Sequence, residues 1–191
     1  MDRSSTTDGG VAYAWEILPD DVLSESSVGE LIKIRRENAR RMLGALAVSH
    51  FGLSQRGLRI EHREGGRPFI PGFDRAGVSI SYSREVVCVA ISQGQAVGID
   101  VEHAHLSYSA SLFLRVVGAH PRAEDSRAES GLRFSRHWTR LEALHKCCGS
   151  AGLLNAVEQP ELRDTTTVRE IEAMVECGVA FSVAYDPALH P

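Results

Sequence analysis

At 191 residues, with 43% hydrophobic and 24% charged side chains, the chain can bury the core of one large domain or of two small, closely packed ones. A formal net charge of −4 excludes a general nucleic-acid binder, whose phosphate contacts need clustered excess base, but leaves room for a local basic pocket. No apolar run is long enough to span a bilayer, and the N-terminus lacks an apolar secretory core. A cytoplasmic protein with neither membrane nor nucleic-acid partner is therefore expected.

The segment 1–10 is polar and Gly-rich and reads as a disordered tail. Alternation predicts a strand over Val11 to Leu18, ended by Pro19-Asp20-Asp21. A helix follows from Ser27 to about Phe51, with Leu31, Ile34, Met42, Leu43 and Leu46 recurring near i+3 and i+4 and Gly52 as C-cap. Arg35, Arg36, Arg40 and Arg41 fall within it. Leu58 to His62 is a short strand, then comes a turn at Glu64-Gly65-Gly66-Arg67-Pro68. Val78–Ser83 and Val86–Ser92 form a strand pair joined at Arg84-Glu85, and Ala96–Glu102 is a further strand. Tyr108–Val117 reads as a short helix, Ala119–Gly131 as a polar loop, and Leu132–Cys148 as a long helix closed by Gly149. Val157–Arg163, Val168–Glu176 and Val179–Tyr185 are expected strands, the last two joined at Cys177-Gly178. The class inferred is α+β, in two similar halves that each carry a long helix on a small antiparallel sheet. The expected boundaries are a tail over 1–10, an N-terminal subdomain over 11–97 and a C-terminal subdomain over 98–188.

The chemistry concentrates at Gly98-Ile99-Asp100-Val101-Glu102 and at Trp138-Thr139-Arg140-Leu141-Glu142-Ala143-Leu144-His145-Lys146. Asp100 and Glu102 lie two apart in a strand and so point to one side of a sheet. Trp138, Glu142 and Lys146 lie four apart in a helix and share a stripe. Three carboxylates beside a lysine suit a hard cation that bridges a phosphate. Trp138 is read as a packing residue. None of the four cysteines is spaced for zinc or for a disulfide framework, and Cys147 and Cys148 are read as packing residues.

These two motifs, preceded by Gly65-Gly66-Arg67-Pro68 and Val78-Ser79-Ile80-Ser81-Tyr82-Ser83, come in the order and spacing of the Sfp-type 4′-phosphopantetheinyl transferases, which the chain resembles over roughly residues 30–155. The resemblance implies a monomer of two pseudo-symmetric subdomains with coenzyme A in the cleft between them. It implies Mg²⁺-dependent transfer of the phosphopantetheine arm to a serine of an acyl or peptidyl carrier protein, in secondary metabolism. Asp100, Glu102 and Glu142 would hold Mg²⁺, and Lys146 would neutralise a phosphate oxygen and assist the departing phosphate. Arg40 and Arg67 match nucleotide-phosphate contacts, and Ser81 and Tyr82 fall in the region of the 3′-phosphate.

The chain departs from the family pattern at several points. Tyr82 stands where the family has histidine, Leu141 where it has lysine, and Gly118 where it has a glutamate base. Glu142 or a metal-ordered water is then the expected base. Two alternatives stay open: a repurposed enzyme of the same scaffold acting on a biosynthetic intermediate, by cyclisation or condensation, and a non-catalytic carrier-protein-binding module.

Overall fold

The computed structural model describes residues 3–6, 10–54, 59–64, 66–104, 107–122, 124–149, 166–170 and 178–186. In chain order the elements are β1 (Arg3–Thr6), β2 (Val11–Ile17), α1 (Asp20–Glu25), α2 (Val28–Phe51), β3 (Glu61–His62), β4 (Pro68–Phe69) and β5 (Ala76–Ser83). There follow β6 (Val86–Gln93), β7 (Ala96–His103), α3 (Ala110–Val117), α4 (Arg127–Cys148), β8 (Thr167–Glu170) and β9 (Val179–Asp186). Among the described residues all strand pairings are antiparallel: one sheet runs β1-β2-β6-β5, another β7-β9-β8, and β3 pairs with β4. The α+β class inferred from sequence is what the elements form.

The central strands β6 and β9 are apolar on both faces because both faces are covered. Between the two larger sheets, Val11, Tyr13 and Trp15 of β2 and Cys88 and Ala90 of β6 meet residues of β7 and β9. Phe181 lies edge-on to Trp15 and Tyr13, with ring centroids 5.7 and 6.0 Å apart, a geometry that aromatic quadrupoles favour. On the outer face of the first sheet, Met42, Leu43 and Leu46 of α2 pack on Val87, Val89 and Ile91. On the outer face of the second, Ala143 and Cys147 of α4 pack on Ala96 and Ala184. α3 rests on α4 through Phe113, Val116, Phe134 and Leu141.

Both long helices start and stop by the same chemistry. Ser27 with Glu30, and Ser126 with Glu129, form reciprocal capping boxes, and Gly52 and Gly149 end the helices in the left-handed region. The Ser126 box lies inside the polar stretch expected as a loop, so α4 begins at Arg127 and not near Leu132. The segment expected to be a disordered tail contains β1, whose backbone pairs with β2. α1 begins within Pro19-Asp20-Asp21, read from sequence only as the end of the first strand, with Asp20 and Asp21 in its first turn, where carboxylates favour the helix dipole. Residues 157–163 and 171–177, and with them most of the two expected strands there and the hairpin residue Cys177, lie outside the described residues.

A stitch of side chains joins the first sheet to β7. Alternate residues of β5 are small or hydroxylic and face that strand. Ser79 Oγ accepts from Ile99 N–H (3.0 Å), and Ser83 Oγ accepts from His103 N–H (3.3 Å). His103 Nδ1 is 3.0 Å from Ser83 Oγ and its Nε2 is 2.9 Å from Glu85. At Gly77 a Cβ would come within 2.4 Å of Ser92 Oγ and 2.5 Å of the Gln95 carbonyl, so the contact admits only glycine. Buried hydroxyls here satisfy backbone donors that no ladder reaches.

Candidate active site

The site is assembled by a helix lying directly on a strand backbone. A Cβ on Gly98 would stand 1.9 Å from the Ala143 carbonyl oxygen and 2.6 Å from the Cys147 nitrogen. Around this point the sheet face is built of small residues: Gly98 opposes Ala184 and Asp100 opposes Ser182 in the register of β7 and β9. α4 therefore comes close enough for its side chains to reach over the edge of β7.

Lys146 Nζ donates to the Ile99 carbonyl (3.1 Å) and to Asp100 Oδ1 (2.7 Å). Ser81 Oγ donates to the same carboxylate oxygen at 2.7 Å. Asp100 is only 6% exposed. Burial raises its pKa above the usual carboxylate value, against the opposing pull of Lys146 and Ser81. Glu142, one helical turn before Lys146, is also raised: burial acts first, then the negative charge of Asp100, with Lys146 opposing and Glu102 adding to the rise. The charges of Asp100 and Glu102 thus both act on Glu142.

Among the described residues no set of three His, Cys, Asp or Glu side chains stands as a preformed metal cage. The donor chemistry nonetheless fits a hard divalent cation. The donor oxygens are carboxylate oxygens, Asp100 is held above its usual pKa by burial and Glu142 by burial and then by the charge of Asp100, and Mg²⁺ commonly binds one or two carboxylates together with waters and phosphate oxygens.

The remaining residues expected from sequence divide into two groups. Arg67 reaches the C-terminal end of α4, where its guanidinium donates to the Cys147 carbonyl (3.4 Å), beside Lys146 in sequence. Arg40 and Tyr82 lie near one another, with Arg36 and Arg35 close by: the Tyr82 hydroxyl is raised by burial, against the charges of Arg36, Arg40 and Arg35. Ser81 and Tyr82 are neighbours in a strand and face opposite ways. Ser81 is buried against Asp100, while Tyr82 is 37% exposed. Ser81 thus contacts Asp100 on the buried side of β5.

Arg36 was not distinguished from the other helix arginines by sequence; its signal was the i, i+4 spacing to Arg40. Arg35 donates to the Arg84 carbonyl, and Arg41 pairs with Glu16, so these two are engaged elsewhere.

Two departures from the resembled pattern, Leu141 and Gly118, acquire physical reasons or places, and Trp138 takes its expected packing role. Leu141 is 8% exposed and belongs to the apolar cluster with Phe113, Val116 and Phe134. Gly118 caps α3 at φ 76° and lines a cleft to which Asp100, Glu102 and Glu142 contribute nothing. Trp138 stacks on Phe134 at 5.8 Å, as a packing residue. Burial pushes the Cys147 thiol up to about 12, consistent with an inert side chain. Among the described residues no helix is long and apolar enough to cross a membrane. No family model matches the chain, and no curated protein matches its sequence.

Proposed function

We propose that this chain is a Mg²⁺-dependent 4′-phosphopantetheinyl transferase of the two-subdomain, pseudo-symmetric fold, acting as a cytoplasmic monomer on an acyl or peptidyl carrier protein. The observation that carries this reading is the convergence of Lys146 and Glu142 on Asp100 across the Gly98 contact. A capped helix lying on the outer face of each sheet also supports it.

In this reading the carrier serine oxygen attacks the phosphorus that bears the pantetheine arm. A new serine O–P bond forms, the bridging P–O bond of the diphosphate breaks, and 3′,5′-ADP leaves. Asp100, Glu102 and Glu142 hold the cation, which when bound supplies charge neutralisation at the diphosphate. Lys146 donates to a phosphate oxygen and offsets the charge that grows on the leaving group, the electrostatic work that dominates such transfers. Ser81 keeps Asp100 oriented. Arg67, Arg40 and Arg36 bind phosphates of the nucleotide end, and the Tyr82 hydroxyl gives one neutral hydrogen bond there. Glu142, or a water ordered by the cation, takes the serine proton.

A second reading, a related scaffold acting on a biosynthetic intermediate, is favoured by Leu141 serving the core and by Gly118 lying in a different cleft. Incubating the protein with apo carrier, coenzyme A and Mg²⁺, then weighing the carrier by intact mass spectrometry, separates the two. The transferase reading predicts a gain of one phosphopantetheine arm, lost in Glu142→Ala. An unchanged carrier mass, while an authentic transferase works in parallel, favours the second.

A further inference from the structure

The flank of α4 turned away from Glu142 and Lys146 carries a separate feature. Arg136, Arg140 and Leu144 each stand two residues from Trp138, Glu142 and Lys146, and two helical residues turn through about 200°. They line a cleft of about 930 Å³ between α3, α4 and β8. Four arginines line it, Arg115, Arg133, Arg136 and Arg140, against a single described carboxylate, Glu170. Its apolar lining includes Val116, Leu144 and Val168.

The acids near the cleft hold some of these cations in place without cancelling the set. Glu170 takes the fork of Arg136, with one bond at 3.0 Å, and Asp125 pairs with Arg133 at 2.9 Å. Arg140 has no carboxylate partner among the described residues. Arg133 leaves its buried Nε–H without an acceptor, and a buried donor without a partner is costly. His137, on the same lining, is held below its usual pKa by burial and then by Arg140 and Arg136, with Glu170 opposing. Among the described residues the cleft therefore carries more cationic than anionic side chains.

We infer that this cleft is a second binding site, distinct from the carboxylate cluster, for a small organic diphosphate. Guanidinium forks match the oxygens of adjacent phosphates. The mixed lining and the volume fit a phosphorylated small molecule whose remainder lies on Val116, Leu144 and Val168. Diphosphate oxygens would supply a partner for Arg140.

The test is a titration of the full methyl-labelled chain with inorganic pyrophosphate, and separately with sulfate at matched ionic strength, followed by NMR. Pyrophosphate is expected to shift the Leu144 and Val168 methyls saturably, with sulfate at least about tenfold weaker. Arg140→Ala, at an exposed position where the fold should persist, is expected to weaken pyrophosphate by about tenfold or more. Arg140→Lys should fall between, because charge remains but the fork is lost. The same shifts should survive in Asp100→Asn, which separates this site from the carboxylate cluster. Absence of saturable shifts, equal binding of sulfate, unchanged binding in Arg140→Ala, or loss of the shifts in Asp100→Asn would each overturn the inference.

Discussion

α2 and α4 are capped alike and cover the outer faces of their two sheets, yet they dock by different means. α2 sits on large side chains, Met42, Leu43 and Leu46 against Val87, Val89 and Ile91. α4 sits on small ones, with the Gly98 backbone against the Ala143 carbonyl. Large side chains hold a helix away from the sheet and make a tolerant apolar layer. Bare backbone brings it close, and polar side chains from the helix then reach across the strand. That difference accounts for why Glu142 and Lys146 meet Asp100 on the second sheet, while α2 contributes arginines that stand near Tyr82 at the end of β5.

Substitutions that exploit this contrast should differ in kind as well as size. Gly98→Val is expected to have the largest effect. Backbone at 1.9 Å cannot give way as a side chain can, so the loss should reach about 4 kcal/mol or more, with activity abolished. Leu43→Ala, in the α2 layer, should cost about 3 kcal/mol in denaturant unfolding but leave turnover per folded molecule intact. If Leu43→Ala removed activity as Gly98→Val does, the contrast between the two helices would fail.

Lys146→Met should come next, and its stability effect should depend on pH. Asp100 already has a raised pKa in the folded state, and removing its cation raises it further. A carboxyl raised on folding is most compatible with the native state when protonated. Stability therefore falls as pH rises from the unfolded value, about 4, toward the folded one. The variant's deficit relative to wild type should be full at neutral pH and shrink on acidification toward about pH 4. A deficit independent of pH would separate Lys146 from Asp100.

The smallest effects should be matched. Ser27→Ala and Ser126→Ala remove equivalent caps and should each cost about 1 kcal/mol, measured as a shift in denaturation midpoint. Glu30 and Glu129 are held below the usual carboxylate range, first by hydrogen bonds from the Ser27 and Ser126 side chains. Their support is complete above the unfolded carboxylate pKa and lost as pH falls through the lower folded values. Both Ser→Ala deficits should therefore narrow in acid.

Much of this was legible in the chain. Periodicity revealed α2 and the C-terminal part of α4, alternation revealed β2, and strands were also legible at β5, β6, β7 and β9. The i, i+2 spacing of Asp100 and Glu102 and the i, i+4 spacing of Glu142 and Lys146 placed each pair on one side of its element, and Lys146 meets Asp100 in the fold. What stayed hidden depends on neighbours distant in sequence. Gly98 reads as an ordinary strand glycine until α4 lies on it. Ser81 reads as a phosphate contact until Asp100 is found beside it. The start of α4 was masked because a capping box looks like any polar loop without its helix. The arginine cleft draws on α3, α4 and β8, and no local pattern joins them. Leu141 looked like a lost cation, and its packing against Phe113 and Phe134 supplies a different reason for it.

In the proposed function, the Gly98 contact builds a carboxylate–lysine site for a diphosphate held through a divalent cation. Calorimetric titration of coenzyme A into the protein with and without Mg²⁺ tests it most directly, with Glu142→Gln run alongside. The account predicts that Mg²⁺ strengthens binding by about tenfold or more, and that Glu142→Gln abolishes this gain while the protein stays folded. Coenzyme A binding that is indifferent to Mg²⁺, or a gain that persists in Glu142→Gln, would contradict it.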